Sequence, residues 1–450
     1  LKTGKKLGYA SGDFGISVSY FLVGFFFMYY LTDIVGISAW LAGVVVFIGK
    51  TWDGLSNPVA GIINDRFSSR FGPKRAFVLF GAIPFAICFV LLWLIPSHFS
   101  EPLKFILAVG AMLLYSTAYT FVSVPYMAMV PVITSDYDER TQITGIRAVL
   151  STLAIILGGG AALFISSFSD EALGLRVMVT GFAFFSALSL IVAAQSIKGM
   201  EPAAARVTMS FKENFANYLS VPRQKYVLIL FAFKFLGAIA TGCLMASIPY
   251  FATHVLQDSA SSTYGVALYT ICSAVFIPVW YKLTRIYDKR RLLLISNCLG
   301  AVALIAVALF VQEGATLLFY AGCALVGIIM SAYLLIPYSF VPDLVDYYAK
   351  KNGCRHESVY FGLWMTVHQI GIAVSGLLLG AFLSIQGYAG MADQQTESAI
   401  MAIRLAFGLI PGVFLVLAAL VLQKYGITRN VYQALFTRDE TEACRREGGA

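Results

Sequence analysis

The sequence predicts an all-α membrane protein of twelve transmembrane helices in two six-helix bundles, and three observations predict it. Of 450 residues, 59% are hydrophobic and only 12% charged, against roughly a quarter charged in a soluble globular domain. The apolar residues gather into twelve runs, each close to the ~20 residues an α-helix needs to cross ~30 Å of hydrocarbon. Signals that punctuate the first half of the chain recur in the second. A β-barrel is disfavoured, because stretches such as Val44 to Ile48 are apolar on every face, whereas membrane strands alternate apolar with polar.

Taken in order, the runs cover residues 8–32, 39–64, 76–96, 103–131, 141–166, 174–197, 225–251, 262–285, 292–311, 315–342, 357–385 and 399–423. The first is too long for the core of a signal peptide and is expected to be retained. The second carries Lys50, Asp53, Ser56 and Asn57 before Pro58, and a short basic loop, Asp65 to Arg75, leads to the third. A charged stripe inside lipid beside such a loop suits a solute carrier. The fourth run closes on Pro125, Tyr126 and Pro131, followed by Asp136 and Arg140; the tenth closes on Pro337, Tyr338 and Pro342, followed by Asp343, Asp346 and Arg355. Lone arginines open the sixth and twelfth runs, Arg176 and Arg404, and Asp288 to Arg291 is a shorter counterpart of the basic loop. The polar stretch 198–223 separates six runs from six, giving a bundle over 1–197, a cytoplasmic linker over 198–223, a second bundle over 224–424 and a cytoplasmic tail over 425–450. Corresponding loops fall on the same side, so the halves are parallel repeats about the membrane normal, with a binding site expected at midplane between them.

The net charge of +8 falls on one side of a twelve-span chain, from Lys2, Lys5 and Lys6 through Arg66, Arg70, Lys198, Lys289 and Lys350 to the tail. This is the positive-inside bias, with both termini cytoplasmic, and not a nucleic-acid footprint. Glycines and prolines inside the runs, such as Gly158 to Gly160, Pro84 and Pro249, are packing and bending devices. The cysteines within apolar runs lack metal-ligand or disulfide spacing and read as small core residues. No metal cluster, nucleophile and base set, or phosphate loop points to an enzyme.

Gly12, Asp13 and Phe14, then Tyr30 to Asp33 with Gly36 to Ser38, then Trp52, Asp53 and Pro58, the loop Asp65 to Arg75, Pro125 to Pro131, Asp343 to Tyr347, and Arg355, Glu357, Phe361, Gly362 and Trp364 together resemble the glycoside-pentoside-hexuronide cation symporters of the major facilitator superfamily. The resemblance spans nearly the whole chain. It implies a central cavity, secondary transport by alternating access, a bacterial cytoplasmic membrane, a monomer in the lipid bilayer with a small-molecule substrate, and no cofactor beyond Na+ or H+ as coupling ion. Animal sodium-coupled lysolipid transporters share the same motifs, so a lysolipid or amphiphile carrier is the alternative to a glycoside carrier.

Asp13 and Tyr20 are seven apart and lie on one helix face. A carboxylate at a helix centre costs about 2.5 to 3.5 kcal/mol, so Asp13 needs a wet cavity or a partner, Lys5 or Lys6 being the nearby candidates. The resemblance makes Asp13, Tyr20 and Arg147 sugar-site residues; Arg147 alternatively pairs with Asp136 or Asp138 as a gate. Tyr119, Thr120, Ser123 and Met127 form one stripe of the fourth span. The melibiose permease, the best-known member, has an aspartate and a tryptophan in place of Ser123 and Met127, so a different substrate is expected. Lys234 interrupts the seventh span and either snorkels or faces the cavity; with Arg147 it would favour an anionic solute, and the resemblance adds Trp364 to the substrate-binding residues.

In sodium-coupled relatives the positions of Asp53 and Asn57 are both aspartates and, with those of Ser56 and Thr120, surround the cation. A lysine of those relatives is replaced by Gln369. Hard cations prefer oxygen ligands, and the missing carboxylate puts sodium coupling in question. Two readings remain: proton coupling through Asp13, Asp53 or His368, or an uncoupled facilitator in which Lys50 neutralises Asp53. Asp65, Arg66, Arg70, Asp136, Arg140, Asp343, Asp346, Arg355 and Glu357 are expected to form cytoplasmic gates, and His98 and His254, at span ends, to be solvated or interfacial.

Overall fold

A computed structural model describes residues 2–67, 69–134, 136–200, 224–352, 357–392 and 394–427. Twelve helical spans follow the apolar runs, and among the described residues there is no strand. The first span, α1, is segmented as Thr3–Ala10, Gly12–Phe25 and Phe27–Tyr29, ending in a π-turn, Tyr30–Ile34. Next come α2 (Ala39–Arg66), α3 (Pro73–Leu92), α4 (Glu101–Met127), α5 (Tyr137–Gly159, extended by Ala161–Ser166) and α6 (Glu171–Ser196). The second half comprises α7 (Lys225–Tyr250, with the π-turn Phe251–Val255), α8 (Ala260–Ile286), α9 (Lys289–Phe310), α10 (Thr316–Leu335), α11 (Glu357–Ile385) and α12 (Glu397–Phe407 with Leu409–Leu422).

Among the described residues ten helices are long and apolar enough to cross a membrane, eleven when the bent first span is counted whole. The exception is α2, whose middle carries Lys50 and Asp53. Helix starts are set by side chains that accept from otherwise unpaired amides. Asp136 caps α5, Asp170 α6, Asp288 α9 and Thr396 α12. Asp288, read as part of a basic loop, thus serves as a cap. The first helix begins at Thr3, earlier than the apolar run, because Lys6 finds partners on α5: Glu139 at 3.1 Å and Gln142 at 2.8 Å.

Within the first half α1 packs on α5 and α6, α3 on α4 and α6, and α2 on α4; within the second, α7 packs on α11 and α12, α8 on α10, and α9 on α10 and α12. The halves meet through α2 with α11, α5 with α8, and α1 with α7. This is the twelve-helix major facilitator fold of two six-helix bundles. Glycines permit the tightest of these contacts. A Cβ on Gly380 would lie 2.3 Å from the Ala39 carbonyl oxygen and 2.9 Å from Gly43 Cα, and one on Gly43 would lie 2.6 Å from the Gly376 carbonyl oxygen. With glycine at these positions, α2 and α11 approach backbone to backbone.

The π-turns ending α1 and α7 are one device built twice. Val35 N–H donates to Tyr30 O at 2.9 Å and Ile37 N–H to Leu31 O at 2.9 Å; Leu256 N–H donates to Phe251 O at 3.1 Å and Asp258 N–H to Ala252 O at 3.0 Å. Both are followed by a left-handed residue, Gly36 at φ 75° and Gln257 at φ 59°. A side chain in that conformation costs about 1 to 2 kcal/mol, a cost already present at Gln257. Gly36→Ala is therefore expected to lower stability by about 1 to 2 kcal/mol, while Gln257→Ala changes it little. Thermal unfolding in detergent compares them, and equal shifts would remove the argument.

Candidate functional site

Asp13 lies in the first turn of the Gly12–Phe25 segment of α1, which closes on its neighbours through glycine. A Cβ at Gly12 would meet the Tyr126 ring at 2.6 Å, and one at Gly15 the Ser186 backbone at 2.8 Å. That approach brings Asp13 to α5, where the Arg147 fork grips it twice, Nε to Oδ2 and Nη2 to Oδ1. Tyr126 donates its hydroxyl to Asp13 Oδ2 at 3.1 Å, and the guanidinium lies 4.9 Å from the Tyr126 ring centre. Asp13 is 7% exposed. A bidentate pair of this kind satisfies both buried charges. The two residues therefore hold each other; the candidate pairings of Asp13 with Lys6 and of Arg147 with Asp136 are not those adopted.

Deeper along α1, Tyr20 reaches across to the second half, donating to Gln369 Oε1 at 2.9 Å; Gln369 Nε2 donates to Asp53 Oδ2 at 2.6 Å, and Thr120 Oγ1 donates to Asp53 Oδ1 at 3.0 Å. Ser56 Oγ lies 3.1 Å from Thr120 Oγ1. One network thus joins α1, α2, α4 and α11, with the amide orientation of Gln369 set by a donor on one side and a carboxylate on the other. The stripe read from α2 is intact: Lys50 and Asp53 are buried, Ser56 and Asn57 half-buried. The Lys50 ammonium sits 3.9 Å from the centre of the Tyr20 ring, and its attraction to Asp53 does not reach ion-pair distance. Tyr119 stacks on Tyr20 with ring centres 5.4 Å apart. Ser123 is buried on the same helix, whereas Met127 at its end is 52% exposed.

Lys234 on α7 is 2% exposed and enclosed by rings. Its ammonium lies 5.0 Å from the Tyr333 ring, 5.2 Å from Tyr338 and 5.1 Å from Trp364. It does not snorkel. Each such contact is worth about 0.5 to 2 kcal/mol, yet the rings leave the positive charge uncompensated. Trp364 is buried with its Nε1 unpartnered, and so is Nδ1 of His368 one turn further along α11. His368 is within electrostatic reach of both Lys234 and Lys50, as Tyr20 is of Tyr338. Lys50, Lys234, His368, Tyr20 and Gln369 thus gather where the two halves meet.

At the end where α1 stops, the halves are tied shut. Asp33 Oδ1 lies 3.1 Å from His254 Nε2 and accepts from the Tyr388 hydroxyl at 2.7 Å, while Thr32 Oγ1 is 2.8 Å from the Tyr250 hydroxyl. Asp33 and His254 occupy the same position of the two π-turns. Of the solvated or interfacial alternatives for His254, full solvation is not adopted, because Asp33 and Tyr388 provide partners that no local pattern discloses. The sequence clue was the repeated order Thr32-Asp33 and Thr253-His254.

At the opposite end the ion pairs seen stay within one half: Lys6 with Glu139, and Lys289 with Asp343 at 2.8 Å. Asp136 serves as a helix cap, Arg140 donates to the Thr134 carbonyl at 2.8 Å, and Asp346 also has partners. Arg70 is exposed, its guanidinium 4.9 Å from the Phe71 ring centre. Arg355 lies outside the described residues, as do the side chains of Asp65, Arg66 and Glu357. An apolar groove of about 380 Å³ lined by Trp52, Cys88, Leu113, Leu114, Thr117, Ala118 and Phe121 lies between α2, α3 and α4. Among the described residues no group of three or more His, Cys, Asp or Glu is placed to hold a metal.

Comparison with known proteins bears on the family and the fold. The family described as MFS/sugar transport protein matches residues 8–429. The chain is 27% identical to the inner membrane symporter YicJ of Escherichia coli (strain K12), covering 94% of this chain and 92% of that protein. It is 23% identical to the glucuronide carrier protein homolog of the same organism, over 95% and 93%. Its fold is similar to that of the nucleoside transporter NupG, with a TM-score of 0.65 at 14% identity over 95% of this chain and 100% of that one. Matched along almost its whole length, this integral multi-pass membrane protein belongs to the MFS/sugar transport protein family and is a transporter, not an enzyme.

Proposed function

We propose that the chain carries a small polar, glycoside-like solute by alternating access, coupled to a cation through Asp53. The observation that carries this reading is the network in which Tyr20 and Gln369 connect the two halves at Asp53. Bundles 1–197 and 224–424 rock about it, joined by the linker 198–223, with the termini cytoplasmic and the monomer as the working unit. The seal around Asp33, His254 and Tyr388 closes the outer end, and Lys289 with Asp343 belongs to the inner gate. The solute meets Asp13, Arg147, Tyr20, Tyr119 and Trp364, and the relatives' names, symporter and glucuronide carrier, support sugar-like cargo.

A proton fits the Asp53 site better than sodium. Asp53 supplies one carboxylate, Asn57 adds no charge, and Gln369 places an N–H where a cation's ligand shell would need an oxygen. Protonation of Asp53 would weaken its bond from Gln369 and loosen the tie between halves. Purified protein in liposomes should accumulate glycoside under an imposed proton gradient. Asp53→Asn should abolish accumulation while solute exchange persists. Accumulation driven by a sodium gradient alone would overturn the proton assignment, and equilibration without accumulation under either gradient would identify a facilitator.

A further inference from the structure

Around the central space the charges do not balance. Asp13 is held by Arg147, and Asp53 by Thr120 and Gln369. Lys234 has no carboxylate partner among the described residues, although it is buried and confined by Tyr333, Tyr338 and Trp364. On α11, whose Trp364 ring it faces, two further polar atoms, Trp364 Nε1 and His368 Nδ1, are buried without hydrogen bonds. A confined lysine ammonium against the Trp364 ring, with an indole N–H and an imidazole nitrogen one turn apart on α11, offers donors to an anion's oxygens, His368 in the tautomer that protonates Nδ1. Arg147, the other basic group read from the sequence as a partner for an acidic solute, is already engaged by Asp13.

Resting on the glycoside-carrier reading, we infer that Lys234, Trp364 and His368 form a subsite for an acidic substituent of the solute, so that the preferred cargo is a sugar acid bearing a carboxylate or a sulfonate. The neutral hydroxyls of the ring then face the polar residues of the first half, chiefly Tyr20. The rings around Lys234 hold its ammonium in place and exclude water, which strengthens its attraction to an incoming anion. Binding the acid would replace the missing counter-charge, whereas a neutral glycoside would leave Lys234 as it stands.

Uptake of three probes into liposomes containing the whole chain tests this: methyl β-glucuronide, a methyl 6-sulfoglucoside and methyl β-glucoside. At equal concentration at least one acid should enter about tenfold faster than the glucoside, as loss of one charge-assisted contact implies. Lys234→Met should collapse the ratio of acid to neutral uptake toward one, Lys234→Arg should retain part of it, and Trp364→Phe, keeping a ring but losing the N–H, should lower it. Quenching of tryptophan fluorescence by each probe in detergent supplies a second readout independent of transport. Which acid wins separates carboxylate from sulfonate. Should the glucoside enter as fast as both acids, or should Lys234→Met slow acid and glucoside alike, the subsite is wrong and the glycoside reading survives. Failure of all three probes to bind or cross would remove both.

Discussion

Replacing Asp13 by alanine is expected to lower the unfolding free energy by about 3 to 5 kcal/mol, because it leaves the Arg147 guanidinium buried without its counter-charge, and to abolish uptake. The magnitude follows from the asymmetry of buried pairs: making one adds little, whereas breaking one strands a charge. Asp13→Asn separates the two consequences. Its amide oxygen still accepts from Arg147 and Tyr126 but supplies no counter-charge, so it should lose only part of that stability while solute uptake fails. The double variant Asp13→Asn with Arg147→Gln removes both charges and should recover stability without recovering uptake. Thermal unfolding in detergent and uptake into liposomes read the two effects. If Asp13→Asn and Arg147→Ala both transport normally, neither residue belongs to the solute path.

Gly380→Val should arrest the transporter by a different route. Its new Cβ would meet backbone on α2, the Ala39 oxygen at 2.3 Å and Gly43 Cα at 2.9 Å, and backbone cannot rotate away as a side chain can. Overpacking of this kind costs about 1 to 3 kcal/mol, all of it in the arrangement where α2 and α11 touch. Uptake should fall more than tenfold, with Gly380→Ala intermediate. Gly61→Ala and Gly110→Ala, where a Cβ meets nothing within 4 Å, are the controls. Normal uptake by Gly380→Val would show that this contact does not form during the cycle.

What was legible in the sequence was whatever one helix can express alone. The spans follow from uninterrupted apolar runs, and the stripe Lys50, Asp53, Ser56 and Asn57 follows from helical spacing together with the cost of charge in lipid. Partners across helices were not legible. Asp33, His254 and Tyr388 come from three distant segments, and His254 at a span end looks like any interfacial histidine until the halves are brought together. The rings around Lys234 come from α10, from the turn after it and from α11, so its position in one helix left snorkelling open. Met127 shares a stripe with Ser123, but the stripe reaches the helix end, and there the side chain is exposed. Periodicity assigns a face; it does not assign a depth.

The doubled π-turn has a consequence for how such a chain closes. Equivalent positions of the two turns meet, Asp33 with His254 and Tyr29 with Tyr250. Aspartate at both would set carboxylate against carboxylate at this mouth of the protein. Acid in one turn and imidazole in the other turns that repulsion into a latch, so closure at this end depends on the two halves differing here.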